Sequence, residues 1–396
     1  MAQAVSIEVG KTIREAREEI LTFTLSHFRR AAEDVLRYRG AVMPSTQERT
    51  NDKRILVTRR PTGVVGLITP YNFPVDIPAI TLTYAVASGN CVVWKPTEHA
   101  SLGCVMLARV FNDAGFPPGV VNLVTGEGDV GTAIAAHPGI NAISFTGSTR
   151  VGKDITRRAG LKRLLLELGG NGPLIVLPDA DLDRAVEAAV VGCYYLAGQC
   201  CTAAERILVH DSVHDRFVEM LGQRVAALHV GDPSDEDTDM GPLATPAVLR
   251  LVQDHIADAT TKGASILQAG EEDGLLYPPT ILTDVTSDMR VAQEETFGPV
   301  APIMRFSDVD EAIRLANDTP FGLNAAAFTG NLHLAWRFAE ELDHGTVLIN
   351  ETTNYWDQGS AFGGSKQSGI GRTLSTWLLD ALTEPKTIVF DVSGES

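Results

Sequence analysis

The sequence predicts an α/β protein of two parallel-sheet domains plus a small accessory β segment, on three observations. Short β-rich runs alternate with helical stretches from about residue 63 onward, a second such series starts near residue 171, and two strand patterns at 48–61 and 383–392 belong to neither series. Alternation of this kind calls for βαβ crossovers and a parallel sheet covered by helices on both faces. The 396 residues suffice for two or three domains at roughly 150 residues each.

In chain order, residues 11–38 come first. They place Ile13, Ala16, Ile20, Phe23, His27 and Ala31 three or four apart, the apolar stripe of one long helix. The first series then offers the strands GVVGLITP, NCVVWKP, GVVNLVTG and NAISFTG, with helices at 100–114 and 148–159. The second offers PLIVL, RILVH and VLIN, separated by helices at 181–197, 212–227 and 309–317. The two orphan segments have charged ends, as edges open to another chain do, and pairing with each other is the equal alternative.

Composition narrows the function. Apolar residues make up 44% and charged residues 21%, an ordinary globular balance. With 33 Lys plus Arg against 50 Asp plus Glu, the net charge of −17 repels an extended phosphate backbone, so nucleic acid is excluded as a partner while a local pocket can still hold a small anion. No run approaches the roughly 18 to 20 apolar residues of a membrane helix. The N-terminus lacks a basic start followed by an apolar block, so a cytoplasmic protein with no membrane partner is expected. Cys91, Cys104, Cys193, Cys200 and Cys201 form no CxxC pair and have no histidine cluster, so neither a metal site nor a disulfide framework is expected.

Four segments invite chemistry. Gly126-Glu127-Gly128-Asp129-Val130-Gly131 is a literal GxGxxG between a strand and a helix, but its two acids would stand beside the phosphates it should bind. The turn from Phe145 to Gly152 has no acid, offers the hydroxyls of Thr146, Ser148 and Thr149, and opens a helix, which makes it the better anion cradle. Glu167 closes the apolar strand LLLEL before two glycines, where a ligand crevice is expected at a sheet's carboxyl edge. Further on, Gly198-Gln199-Cys200-Cys201 sets two thiols in a glycine turn after an apolar helix. Position alone makes Glu167 a surface acid and the thiols inert packing; together they can form a base and a nucleophile.

These segments, with Thr69-Pro70-Tyr71-Asn72-Phe73-Pro74, Lys95-Pro96-Thr97-Glu98, Glu295-Thr296-Phe297-Gly298-Pro299-Val300 and Phe362-Gly363-Gly364, resemble the aldehyde dehydrogenase superfamily from about residue 8 to the C-terminus. The resemblance implies a Rossmann-like cofactor domain at 1–45 and 62–169 and a catalytic domain at 170–367. It also implies a bridging, oligomerising β segment at 46–61 and 383–396, with a return helix at 368–382 packed on the cofactor domain. Family members are usually longer at the N-terminus, so Met1 begins inside the pattern, and Ala361 replaces the usual proline before FGG.

The implied activity is oxidation of an aldehyde to the acid with NAD, NADP use also being allowed. Cys201 is the implied nucleophile, Asn72 and the Cys201 backbone N–H hold the oxyanion, and Glu167 activates the water that hydrolyses the thioester. The implied cofactor contacts are Ile68, Thr69, Pro70, Tyr71, Lys95, Thr97, Glu98, Gly128, Phe145, Gly147, Ser148, Leu168, Glu295 and Phe297. Glu98 beside the ribose hydroxyls favours NAD, because it repels a 2′-phosphate. Substrate contacts are expected from Tyr195, Asp76, Tyr355 and Phe362. Tyr195 stands where semialdehyde-oxidising relatives often carry an arginine, and Asp76 disfavours an anion if it faces the tunnel. The implied partners are a small aldehyde and further copies of the chain, as homodimer or homotetramer. The rival readings are a catalytically silent descendant of the fold and an ordinary two-domain dehydrogenase using Gly126 to Gly131, which leaves the Glu167 and Cys201 segments unexplained.

Overall fold

The structure is a computed structural model that describes residues 1–394. Its six-stranded sheet runs in the order Gly369–Ile370, Arg163–Glu167, Ala142–Thr146, Val64–Ile68, Cys91–Lys95, Val121–Leu123. All neighbours are parallel except the first pair. The alternation within each strand explains the two covered faces. Val65, Leu67, Val92, Trp94 and Leu165 pack into one core with the helix Asp76–Ala87, while Ile68, Ile143, Phe145 and Leu166 pack into another with Ile134 and Ile155 of the helices Gly128–Ala136 and Thr149–Ala159. A strand apolar at every position has to be buried on both sides.

The second sheet has seven strands, in the order Ser265–Gln268, Thr280–Thr283, Val300–Phe306, Arg206–His210, Pro173–Val176, Asn324–Phe328, Thr346–Ile349. Only the Ser265–Gln268 edge is antiparallel. Four of these strands have no counterpart in the sequence reading. Asn324–Phe328 shows why: its three alanines favour helix by propensity, yet it is wholly buried between two parallel neighbours, where tertiary pairing overrides propensity.

The two orphan segments pair with each other. Lys53–Pro61 and Thr383–Asp391 form a long antiparallel ladder from Thr383↔Pro61 to Asp391↔Lys53, and Ala41–Met43 adds a third strand on the far side of Lys53–Pro61. That third strand lies upstream of the expected start at 46; it is exposed at every residue, so it carries no alternating signal. The end of the expected 383–396 segment, residues 395 and 396, lies outside the described residues.

The N-terminal stripe is the clearest departure. A helix Ala2–Val9 precedes it, and the expected single helix consists of Ile13–Glu18 and Leu25–Arg37 joined by a π-helical turn, Glu19–Thr24. A π turn inserts a residue and rotates the following face. Ile20 and Phe23 are therefore only half-buried, while Glu19 turns fully inward. There it pairs with the buried Lys11 at 2.5 Å and accepts the N–H groups of Val75 and Asp76 at 2.9 and 3.0 Å. Among the described residues no helix is long and apolar enough to cross a membrane.

Candidate active site

A cavity of about 500 Å³ separates the two large sheets. One wall is the carboxyl edge of the six-stranded sheet, where Ile68, Lys95, Thr146 and Glu167 end their strands. The other is built from segments that lead into the seven-stranded sheet: Cys201 before Arg206–His210, and Glu295 and Phe297 before Val300–Phe306. Residues 34 positions or more apart in the chain thus meet because one sheet's exit faces the other's entrance.

Asn72, Glu167, Cys201, Glu295 and Phe297 all line this cavity. Asn72 is 3% exposed and donates from Nδ2 to the carbonyl of Gln199 at 2.9 Å. An amide nitrogen carries two hydrogens, so this bond fixes the group and leaves a second N–H. Cys201 is half-buried on the cavity, whereas Cys200 is 3% exposed and does not line it. Burial pushes the Cys201 thiol well above its ordinary range, and the charges of Cys200, Glu295 and Glu167 add to the effect. Glu167 is 8% exposed, and neither carboxylate oxygen finds a hydrogen-bond partner among the described residues. Burial raises its pKa well above the carboxylate range, opposed by the charge of Arg372. Glu295 is pushed up to about 8 by burial and by Glu205, against the N–H that Gly170 donates to it at 2.9 Å.

The turn that presents Cys201 is strained. Leu196 and Ala197 have φ of 53° and 52°, left-handed values unusual for side chains of their size. They are held by the buried Glu15, which accepts the N–H of Leu196 at 2.7 Å. Gly198 follows because a Cβ there would lie 2.1 Å from the carbonyl oxygen of Gly298. Gly170 is needed for the same reason, since its Cβ would lie 2.2 Å from the carbonyl oxygen of Cys201. Gly170 lets the Glu167 segment approach Cys201, and Gly198 lets the Cys201 turn close on the segment that carries Glu295 and Phe297.

The same cavity has the features a dinucleotide needs. Ser148 caps the helix Thr149–Ala159 by accepting the N–H of Val151, and both the cap and Gly147 line the cavity. Orphan N–H groups at a helix start attract an anion. Lys95 reaches Glu98 at 3.1 Å. Partial burial alone would raise the Glu98 pKa, but its own N–H and Lys95 bring it below the ordinary value, so it is a carboxylate at neutral pH. Gly128 and Gly131 line the cavity as well, while Gly126 does not.

All the implied cofactor residues line this cavity except Thr97, which is buried and whose hydroxyl accepts the N–H of His99 at 3.2 Å. None of the four expected substrate residues lines it. Asp76 faces a separate small cavity; Tyr195 donates to Glu18 at 3.3 Å and stacks beside Phe73; Phe362 is buried against Trp356; Tyr355 is 42% exposed. Several lining residues escaped the sequence reading. Val151, Ile155 and Arg158 repeat at helical spacing from Ser148 and could have been read from it, but Val248 and Leu251 come from Pro246–Thr261, a helix not anticipated. Glu205, which accepts the N–H groups of Thr296 and Phe297 at 2.9 Å each, left no sequence signal.

A model of the aldehyde dehydrogenase family matches residues 1–388. A lactaldehyde dehydrogenase of Methanocaldococcus jannaschii is 40% identical over 395 residues, 98% of this chain and 83% of that protein. The solved structure of glyceraldehyde-3-phosphate dehydrogenase GapN from Methanocaldococcus jannaschii, complexed with NADP, superposes with a TM-score of 0.94 at 39% identity, covering 98% of this chain and 85% of that one. A point mutant of betaine aldehyde dehydrogenase from Staphylococcus aureus, in complex with NAD+, gives a TM-score of 0.95 at 34% identity, covering 100% and 80%.

Proposed function

The chain belongs to the aldehyde dehydrogenase family, and on that premise we propose that it oxidises a small aldehyde to the carboxylic acid through a thioester on Cys201. NAD(P)-dependent aldehyde oxidation is the activity of its relatives and its own. The observation that carries the residue assignment is that Cys201, Asn72 and the unpartnered Glu167 line one cavity together with a helix N-terminus and the Lys95–Glu98 pair.

A nicotinamide dinucleotide suits this cavity, with Ser148 and Gly147 for the pyrophosphate, Lys95 and Glu98 for the adenosine ribose, and Glu295 and Phe297 for the nicotinamide riboside. When bound it supplies the hydride acceptor. Cys201 attacks the carbonyl carbon as thiolate, forming the C–S bond while the carbonyl oxygen takes the charge. Asn72, with one N–H fixed on Gln199, offers the other to that oxygen, together with the Cys201 N–H. Glu167 then accepts a proton from water as the water adds to the thioester, and the thiolate of Cys201 leaves. We read the N-terminal helices with 62–169 as the cofactor domain and 170–367 as the catalytic domain. A reducing compartment such as the cytoplasm belongs to the proposal, since Cys201 must stay reduced with Cys200 beside it.

The test is NADH formation over a panel of aldehydes, with protein fluorescence titrated by NAD and NADP. Binding of neither cofactor, together with no NADH from any aldehyde, would leave a silent descendant as the better reading. The same titration checks Glu98. Removing a carboxylate next to the 2′-phosphate position should relieve about 1.4 kcal/mol of repulsion, so Glu98→Ser is expected to raise the NADP-to-NAD ratio of kcat/KM about tenfold. An unchanged ratio means Glu98 does not face the ribose.

Assembly is proposed through the three-stranded sheet. Thr383–Asp391 is the longer of its two edge strands, and Val389 and Phe390 are more than half exposed there. An apolar edge of unpaired N–H and C=O groups is a pairing surface. Ile388→Pro removes a backbone donor from that strand and is expected to weaken self-association more than it lowers the melting temperature. Sedimentation across a concentration series checks this; a wild-type chain that is monomeric throughout and still oxidises aldehydes refutes it.

A further inference from the structure

Resting on the activity proposed above, we propose further that Glu15 and Glu19, one helical turn apart near the N-terminus, are positioning residues for the oxyanion site. Together they set where the amide of Asn72 stands relative to Cys201. Neither lines the cavity, so each acts through other groups, and those groups can be followed bond by bond.

Glu15 accepts the N–H of Leu196 at 2.7 Å. The carbonyl of Leu196 accepts both the backbone N–H and the side-chain amide of the fully buried Gln199, at 3.1 Å each. The carbonyl of Gln199 accepts Asn72 Nδ2 at 2.9 Å. Three and four residues beyond Asn72, the N–H groups of Val75 and Asp76 donate to Glu19 at 2.9 and 3.0 Å. The N–H of Glu19 donates to the carbonyl of Glu15 and closes the path. The result is a ring that joins the two segments meeting at the cavity, and Cys201 leaves it two residues after Gln199. In such a ring a shift at either glutamate is passed to the bond that fixes Asn72.

Each carboxylate meets a local need on the way. The helix Asp76–Ala87 has no side-chain cap of its own. Glu19 supplies the acceptor for N–H groups at its start, where the helix dipole also favours a negative charge. Leu196 and Ala197 hold left-handed φ values, and strain of that kind persists only where the surroundings impose it. Glu15 imposes it at Leu196. The π turn that begins at Glu19 is a rare local geometry found mostly at functional sites. Lys11, fully buried, meets Glu19 at 2.5 Å and stands 3.8 Å from the centroid of the Phe73 ring, so the charge of Glu19 is answered and the residue next to Asn72 is held as well. A brace between helices would be served equally by apolar side chains. An acceptor aimed at a backbone N–H would not.

The test compares three variants with the wild type, using NAD and an aldehyde that the wild type oxidises. Glu15→Leu removes one acceptor and leaves the Lys11–Glu19 pair intact. Lys11→Met/Glu19→Leu removes the other without stranding the lysine, and Lys11→Met/Glu19→Gln keeps an acceptor oxygen while losing both charges. Rates are taken per folded chain, well below each melting temperature. Each leucine variant is expected to lose about 30-fold in kcat, with the KM for aldehyde and for NAD within about twofold of the wild type. The glutamine variant should stay within about threefold. In an Asn72→Ala background the leucine substitutions should cost no more than about threefold, because the ring then has no amide to place. A role confined to stability gives losses that multiply across the two backgrounds. Should one leucine variant fail to fold, the other arm of the ring decides. Wild-type kcat in a leucine variant, a loss carried by KM, a glutamine variant as slow as its leucine counterpart, or multiplying losses would overturn the assignment while leaving the oxidation reading intact. Absence of NADH from the wild type with every aldehyde would overturn both.

Discussion

Cys201→Ala is expected to abolish NADH formation from any aldehyde, a loss on the order of 10⁴-fold or more, while Cys200→Ala keeps most of it. The two thiols are neighbours in sequence but not in environment. Cys201 lines the cavity with Asn72, Glu167 and Glu295, where a carbonyl carbon can reach it. Cys200 points away into the core shared with Phe73 and Leu196, its sulfur 4.0 Å from the carbonyl oxygen of Tyr195, and burial pushes its thiol up to about 12. Burial raises both thiols, so what separates them is access: of the two, only Cys201 meets the cavity. Losing the Cys200 sulfur costs packing, about 1 kcal/mol, rather than chemistry. The Cys201 thiol is raised too, by burial first and then by nearby negative charge, so its thiolate fraction and the burst rate should climb as pH rises from 7 to 9. Steady-state assays on both variants decide the matter. An active Cys201→Ala enzyme, or equal losses in the two, would sink the assignment.

How much of this could be read from the sequence depends on which force set each feature. Strands such as Val64–Ile68 and Cys91–Lys95 were legible because runs buried on both faces must be apolar throughout. Asn324–Phe328 was not, since only its neighbours make alanines a strand. The stripe from Ile13 to Ala31 had the right period, yet the π turn at Glu19–Thr24 changed which residues it buries, and that turn exists because Glu19 serves the distant Val75 and Asp76. Lone-residue chemistry followed the same division. Glu167 and Cys201 sit in motifs that a resemblance can carry, and the cavity brings them together. Glu15 and Glu205, which hold the strained turn and the Thr296–Phe297 backbone, are ordinary glutamates in sequence and become distinctive only through the N–H groups they accept. Asp76 was visible as an acid after a turn; the separate small cavity it faces was not.

Glu167→Gln should separate the two halves of the reaction. The variant is expected to release about one equivalent of NADH per site in a burst and then turn over some 10² to 10⁴-fold more slowly than the wild type, because an amide cannot take a proton from water. The same substitution reports on stability. Glu167 has both oxygens buried and unpartnered, and its folded-state pKa is raised by that burial. The folded chain therefore holds this proton more tightly than the unfolded one. The resulting stabilisation is complete below the unfolded carboxyl pKa, about 4.3, and is lost as pH rises toward the folded value. Glutamine does not titrate, so the melting temperature of Glu167→Gln minus that of the wild type should grow from pH 5 to pH 9 in the absence of cofactor. The two readouts move in opposite senses, since one carboxylate costs stability and sustains turnover. A difference in melting temperature that is flat with pH would show that Glu167 ionises in the fold without penalty. Loss of the burst with NAD still bound would move its role from the water to the thiol of Cys201.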